Sequence, residues 1–211
     1  MKSENNMAQY TTLIRQEIEN IAANYSISNI NSFKVLSGGS ENTNYAIFTE
    51  NGNYVLTICE QKTTQKATEL ALLLEHLEQH NYRSSQVLRN TKNELIGFWN
   101  EKPYMMKVFL EGTVYESLPT HLMELMGIEL GKLHNIEPPN FLAHQANFGK
   151  EQFSFVNNYA PNSDFEKWLN EKHEMLKPYF ELDLPKVLIH SDLFANNTVI
   201  SKNESTLTIM D

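Results

Sequence analysis

Apolar residues recur at helical spacing from about Met7 to Tyr25, with Leu13, Ile14, Ile18 and Ile21 on one face, and this stretch predicts a helix. The period then shortens to that of strands. Phe33 and Val35 mark a first short strand ending at Ser37-Gly38-Gly39-Ser40, and Thr43–Thr49 and Tyr54–Cys59 mark two more. Between these last two lies Asn51-Gly52, a strong hairpin signal whose two residues would both take positive φ. Helical spacing returns over Thr64–His80, where Ala67, Leu70, Ala71, Leu74 and Leu77 share a face. Strands are expected again near Gln86–Leu88 and Leu95–Trp99, joined by the polar turn Asn90-Thr91-Lys92-Asn93, and then over Tyr104–Phe109. Strands followed by one long helix and further strands predict a mostly antiparallel sheet with that helix against it.

Beyond residue 112 the pattern is largely helical, over His121–His134 and about Asp164–Tyr179. Two short apolar runs, Val187-Leu188-Ile189 and Thr198-Val199-Ile200, then read as strands flanking a polar loop. The expected fold class is α+β: a sheet lobe over residues 1–111 and a mainly helical lobe over 112–211, meeting near Glu111-Gly112-Thr113. A cleft between two lobes is where a small ligand is expected to sit.

Composition narrows the function. The 211 residues carry 17 Lys and Arg against 26 Asp and Glu, a net charge of −9 with no basic stripe, which argues against nucleic-acid binding. No stretch approaches the roughly 20 apolar residues that span a bilayer, so no membrane association is expected. The N-terminal residues lack the apolar core of a secretory signal. The single cysteine, Cys59, excludes an internal disulfide and a multi-cysteine zinc site, so the reducing cytoplasm is the expected compartment. Cys59 itself lies in an apolar strand and reads as a small buried hydrophobe. His76 and His80 are four apart on a helix, but a third ligand in register is missing, and they read as solvent-facing. His134 reads as a packing or capping residue at a helix end.

The sharpest feature is His190-Ser191-Asp192-Leu193-Phe194-Ala195-Asn196-Asn197. Its spacing, H-x-D-x-x-x-x-N, is that of a kinase catalytic loop. Phosphoryl transfer needs a carboxylate against the attacking hydroxyl and a neutral oxygen donor for a metal a few residues away. Thr206–Asp211 adds an apolar strand that delivers a further Asp. Upstream, Gly38-Gly39 lies where a nucleotide-covering loop would be, and Lys107-Val108-Phe109-Leu110 lies at the lobe junction, where a strand edge can offer backbone groups to adenine.

Together these segments resemble the aminoglycoside phosphotransferase/choline kinase superfamily, and within it the bacterial homoserine kinase family. The likeness is carried by Leu36–Tyr45, Tyr54–Glu60, Phe109–Gly112, Leu130–His134 and Ile189–Phe194 with Asn197. It implies a protein-kinase-like fold and ATP-dependent, Mg²⁺-requiring phosphorylation of a small hydroxylated substrate, homoserine, in threonine biosynthesis. By the same likeness Asp192 is similar to the catalytic base, Asn197 and Asp211 to the metal ligands, and His190 to the histidine that organises the loop. Gly38, Gly39 and Ser40 correspond to the phosphate-covering loop, and Val108 and Leu110 to the adenine hinge.

Two departures qualify the likeness. The third-strand lysine that clamps phosphates in protein kinases is replaced by Thr57, which leaves the clamp unassigned, and neither Glu69 nor Glu75 is assigned as the ion-pair partner of that missing lysine. The family also continues past the metal Asp with helices that shape the acceptor side, whereas this chain stops at Asp211 and resembles a fragment. Little activity, ready aggregation and weak nucleotide binding through the first lobe are therefore expected of these 211 residues alone. A non-catalytic nucleotide-binding remnant, or a kinase for choline, methylthioribose or an aminoglycoside, is the alternative reading. The sequence sets no oligomeric state.

Overall fold

The computed structural model describes residues 11–36, 41–143 and 150–210. A five-stranded antiparallel sheet carries the first lobe: β1 (Ile30–Leu36), β2 (Asn42–Thr49), β3 (Asn53–Cys59), β4 (Gly97–Trp99) and β5 (Lys102–Val108), in the order β1-β2-β3-β5-β4. Side chains alternate across it. Tyr45, Ile47, Leu56, Ile58, Tyr104 and Met106 turn to one face, where α1 (Arg15–Ala23) covers them with Ile18, Ile21 and Ala22. The opposite face receives α2 (Thr64–Gln79), whose Ala67, Ala71 and Leu74 pack with Cys59, Val87, Leu95 and Met105. Thr63 caps α2 by accepting a hydrogen bond from the Lys66 N–H at 3.3 Å.

Several expectations need correction here. The first helix begins at Arg15, well after Met7, and residues 1–10 lie outside those described. Residues 11–14 stay outside the helix, and the backbone groups of Thr11 and Leu13 are bound by distant side chains. The Thr11 N–H donates to Glu60 at 2.9 Å, the Leu13 N–H donates to the Tyr45 hydroxyl at 2.9 Å, and that hydroxyl donates to the Thr11 carbonyl at 2.8 Å. The β2–β3 turn has three linking residues, and of these only Gly52 has positive φ, at +155°. Its carbonyl accepts from both the Thr49 N–H and the Thr49 hydroxyl. Gln86–Leu88 makes only a local bridge to β5, because β4 already occupies the rest of that edge.

The second lobe holds α3 (Thr120–His134), α4 (Val156–Tyr159), α5 (Asp164–Phe180) and the hairpin β6 (Thr198–Ile200)–β7 (Leu207–Ile209). Val187–Ile189 is not a strand: Val187 and Ile189 are exposed, and β6 takes β7 as its partner. Leu118, Leu122, Ile200, Leu207 and Ile209 form the core under α3, and Leu77, Tyr82, Leu133, Ile136 and Leu188 join the lobes. The junction is also tied through backbone, since Thr113 and Ile200 exchange N–H···O bonds of 2.8 and 2.9 Å. Gly112 makes that approach possible. At φ +156°, an added Cβ would lie 2.3 Å from the Ile200 carbonyl oxygen.

Candidate active site

The polar loop between Leu188 and β6 is held closed by its own residues. Ser191 takes a left-handed conformation, φ +66°, which turns the chain sharply before Asp192. A short 3-10 turn, Ala195–Asn197, follows and leads directly into β6. The Asn197 Nδ2 donates to the Asp192 carbonyl at 2.7 Å and to its carboxylate at 3.1 Å. Both amide hydrogens therefore serve Asp192, which leaves the Asn197 Oδ1 as an acceptor. His190 works from the other side. Its Nδ1 accepts from the Asp192 N–H at 3.3 Å, so its Nε2 carries the proton and donates to the Met210 carbonyl at 2.9 Å.

Met210 is a part of this arrangement that the residue pattern did not mark. Its N–H donates to the Asn197 carbonyl at 2.9 Å while its carbonyl accepts from His190. The end of β7 is thereby stitched to the loop from both sides. Asp211 follows it in sequence and lies outside the described residues, as do Gly38, Gly39 and Ser40. Asp192 is exposed and Asn197 half-buried. A carboxylate and an amide oxygen are hard donors of the kind a divalent cation of the Mg²⁺ type selects, and the Asn197 Oδ1 is left for that use.

On the sheet, Thr57 is buried in β3 and donates its hydroxyl hydrogen to the Asn44 Oδ1 at 2.8 Å. Val108 ends β5, with its N–H given to the Gln86 carbonyl at 2.9 Å, and Leu110 follows it, half-buried. The Phe109 N–H goes to Asn53, so the strand edge at the junction is fixed on both sides. Asn53 also donates to the Glu111 carboxylate at 3.0 Å.

The remaining candidates are spoken for. The His76 Nε2 lies 2.9 Å from the Glu137 carbonyl and the His80 Nδ1 lies 2.8 Å from the His76 carbonyl. Among the described residues, no group of three potential metal ligands occurs and no helix is long and apolar enough to cross a membrane. Cys59 is buried.

Comparison with known proteins agrees with this layout. The profile of the phosphotransferase enzyme family matches residues 32–209. A homoserine kinase of Parvibaculum lavamentivorans is 30% identical over 201 residues, which is 90% of this chain and 62% of that protein. Among solved structures, an amicoumacin kinase in complex with AMP-PNP and Ca²⁺ aligns with a TM-score of 0.73 at 17% identity, over 92% of this chain and 62% of its own. A choline kinase from Cryptosporidium parvum aligns with a TM-score of 0.65 at 13% identity, over 93% and 63%. These establish the two-lobed, protein-kinase-like fold. The chain spans a little under two thirds of the length of each of these proteins.

Proposed function

The chain belongs to the phosphotransferase enzyme family, and from that membership and the loop geometry we propose that it serves transfer of the terminal phosphoryl group of ATP to a hydroxyl of homoserine. The observation that carries the proposal is the closed loop, in which Asn197 and His190 both fix Asp192 while Met210 ties the end of β7 to the same loop. The likeness to proteins named homoserine kinase supports the acceptor.

In this reading, Asp192 orients the acceptor hydroxyl and takes its proton as the oxygen attacks phosphorus. Asn197, through its Oδ1, and Asp211 would hold Mg²⁺, which supplies charge neutralisation on the phosphates. His190 touches no substrate; it keeps Asp192 and Met210 in place. By the family likeness, Gly38, Gly39 and Ser40 would cover the phosphates, and Val108 and Leu110 would receive adenine at the junction between lobes 1–111 and 112–211. The reaction places the protein in threonine biosynthesis in the cytoplasm.

The test is a coupled ADP-release assay with homoserine, choline and an aminoglycoside as acceptors, run on the polypeptide at the length of its relatives. Homoserine-dependent, Mg²⁺-dependent ADP release is expected. Turnover of another acceptor alone would overturn the homoserine assignment, and no turnover with any would overturn the kinase reading.

A further inference from the structure

The kinase reading divides one ligand between two lobes, with adenine at Val108 and Leu110 and the metal on its phosphates at Asn197. The spacing between these two places is set by a backbone contact that lies in neither segment. Shortly after Leu110, Thr113 exchanges N–H···O bonds of 2.8 and 2.9 Å with Ile200. Ile200 closes β6, and β6 begins directly after Asn197. The path from hinge to metal side therefore runs along the main chain from Leu110 to Thr113, across to Ile200, and back through Val199 and Thr198 to Asn197.

Both ends of that path are anchored. On the first lobe, the Phe109 N–H donates to the Asn53 carbonyl at 2.9 Å and the Asn53 Nδ2 donates to the Glu111 carboxylate at 3.0 Å. On the second, Ile200 is 1% exposed among Leu118, Leu122, Leu207 and Ile209, and the Asn197 carbonyl accepts from the Met210 N–H at 2.9 Å. Gly112 stands where the two lobes meet. An added Cβ would lie 2.3 Å from the Ile200 carbonyl oxygen and 2.6 Å from the Val199 Cγ1. Restoring ordinary contact would need the two segments to part by about 1 Å. The nearest atom is main chain and the Ile200 side chain is packed, so β6 would move as a unit and carry Asn197 with it.

We infer that Gly112 is a positioning residue: by admitting the Thr113–Ile200 clasp it sets the distance between the adenine side and the metal side of the nucleotide site. This rests on the kinase reading above. Gly112 touches no reacting group. Its effect passes through the main chain to Asn197 and, through the Asn197 amide, to Asp192. A misplacement of about 1 Å can cost roughly a hundredfold in rate, even from a change remote from the chemistry. Adenosine, held by the first lobe alone, is indifferent to it.

The experiment compares wild type, Gly112→Ala and Gly97→Ala in the polypeptide at the length of its relatives. Gly97 is the matched control, since a Cβ there would lie 2.3 Å from the Tyr104 ring, inside the sheet lobe. Homoserine-dependent turnover, adenosine affinity and the factor by which Mg²⁺ tightens ATP binding are measured on each. In Gly112→Ala, turnover is expected to fall roughly tenfold to a hundredfold and the Mg²⁺ factor at least about threefold, with adenosine affinity within about twofold. Gly97→Ala should lower the unfolding midpoint and leave turnover and the Mg²⁺ factor within about twofold. Should Gly112→Ala not unfold cooperatively, Thr113→Pro takes its place. It removes the N–H given to Ile200 without filling the gap, and the same shifts are expected at smaller size. Wild-type turnover and an unchanged Mg²⁺ factor in the junction variant would overturn the inference and leave the kinase reading standing. Equal losses in the junction variant and Gly97→Ala, or weakened adenosine binding in a folded junction variant, would make Gly112 a structural residue only and overturn the inference. A wild-type chain with neither turnover nor Mg²⁺-dependent ATP binding would overturn both.

Discussion

Helices α2 and α5 are nearly equal in length, 16 and 17 residues, and both begin at a side-chain cap. The first buries Ala67, Ala71, Leu74 and Leu77, whereas the second buries nothing. Phe165, Trp168, Met175 and Tyr179 on α5 are each about half exposed or more. The difference teaches where the site gets its rigidity. The His190–Asn197 loop stands on the β6–β7 hairpin, which is packed under α3 and bonded through Ile200 to the lobe junction. The first lobe, proposed above to hold the nucleotide, stands on a sheet covered by helices on both faces. Both halves of the site therefore rest on well-packed elements, and the loosely packed helix lies outside them.

The largest effect expected from this contrast is at Leu74, which is 1% exposed between α2 and the sheet. Leu74→Ala should cost about 2–5 kcal/mol in chemical denaturation, the range for truncating a buried leucine. A loss near zero would mean that α2 is no better packed than α5.

A second expectation uses acid. Burial pulls the Glu60 carboxyl upward, but hydrogen bonds from Lys102, Thr43 and Thr11 outweigh it and hold the pKa down, from 4.5 to about 2. Lys102 reaches it at 2.5 Å and Thr43 at the same distance. A carboxyl depressed in the folded state adds stability above its unfolded pKa, and this is lost as pH falls from about 4.5 toward 2. Wild-type protein should lose stability through that window, and Glu60→Gln should lose less there. Parallel pH profiles for the two would contradict the role given to this network.

The smallest effect is expected on α5. Trp168→Ala should change unfolding stability by no more than about 0.5 kcal/mol, as for an exposed position. It should instead reduce binding of a hydrophobic dye, because the exposed aromatic face is what such a dye meets. A loss comparable with that of Leu74→Ala would erase the contrast between the two helices.

Sequence periodicity located α2 and α5 equally well because both repeats are local, but it could not say which would find a partner. The same holds for strands. Thr43–Thr49 and Tyr54–Cys59 were legible because their partners are adjacent in sequence, and Val187–Ile189 was misread because its apolar run has no strand beside it. The start of α1 was hidden for a related reason. Thr11 and Leu13 are drawn out of the helix by Glu60, Thr43 and Tyr45, between 32 and 49 residues away. In the site, Asp192, Asn197 and His190 could be picked out because their chemistry is concentrated in eight residues. The Met210 backbone could not, since main-chain groups carry no sequence signal. Lys107 reads in the sequence only as part of a strand edge, and its burial between β3 and the Gln86–Leu88 bridge depends on neighbours distant in sequence.

The central claim, that this loop performs phosphoryl transfer with Asp192 as base, is tested most directly by Asp192→Ala in the polypeptide at the length of its relatives. Homoserine-dependent ADP release and ATP affinity should be measured on the same preparation. The expected result is a loss of turnover of at least about a hundredfold with ATP affinity little changed, since general-base help is worth that much and Asp192 is not assigned to the nucleotide. Full turnover by the variant, or loss of ATP binding in a folded protein, would contradict it.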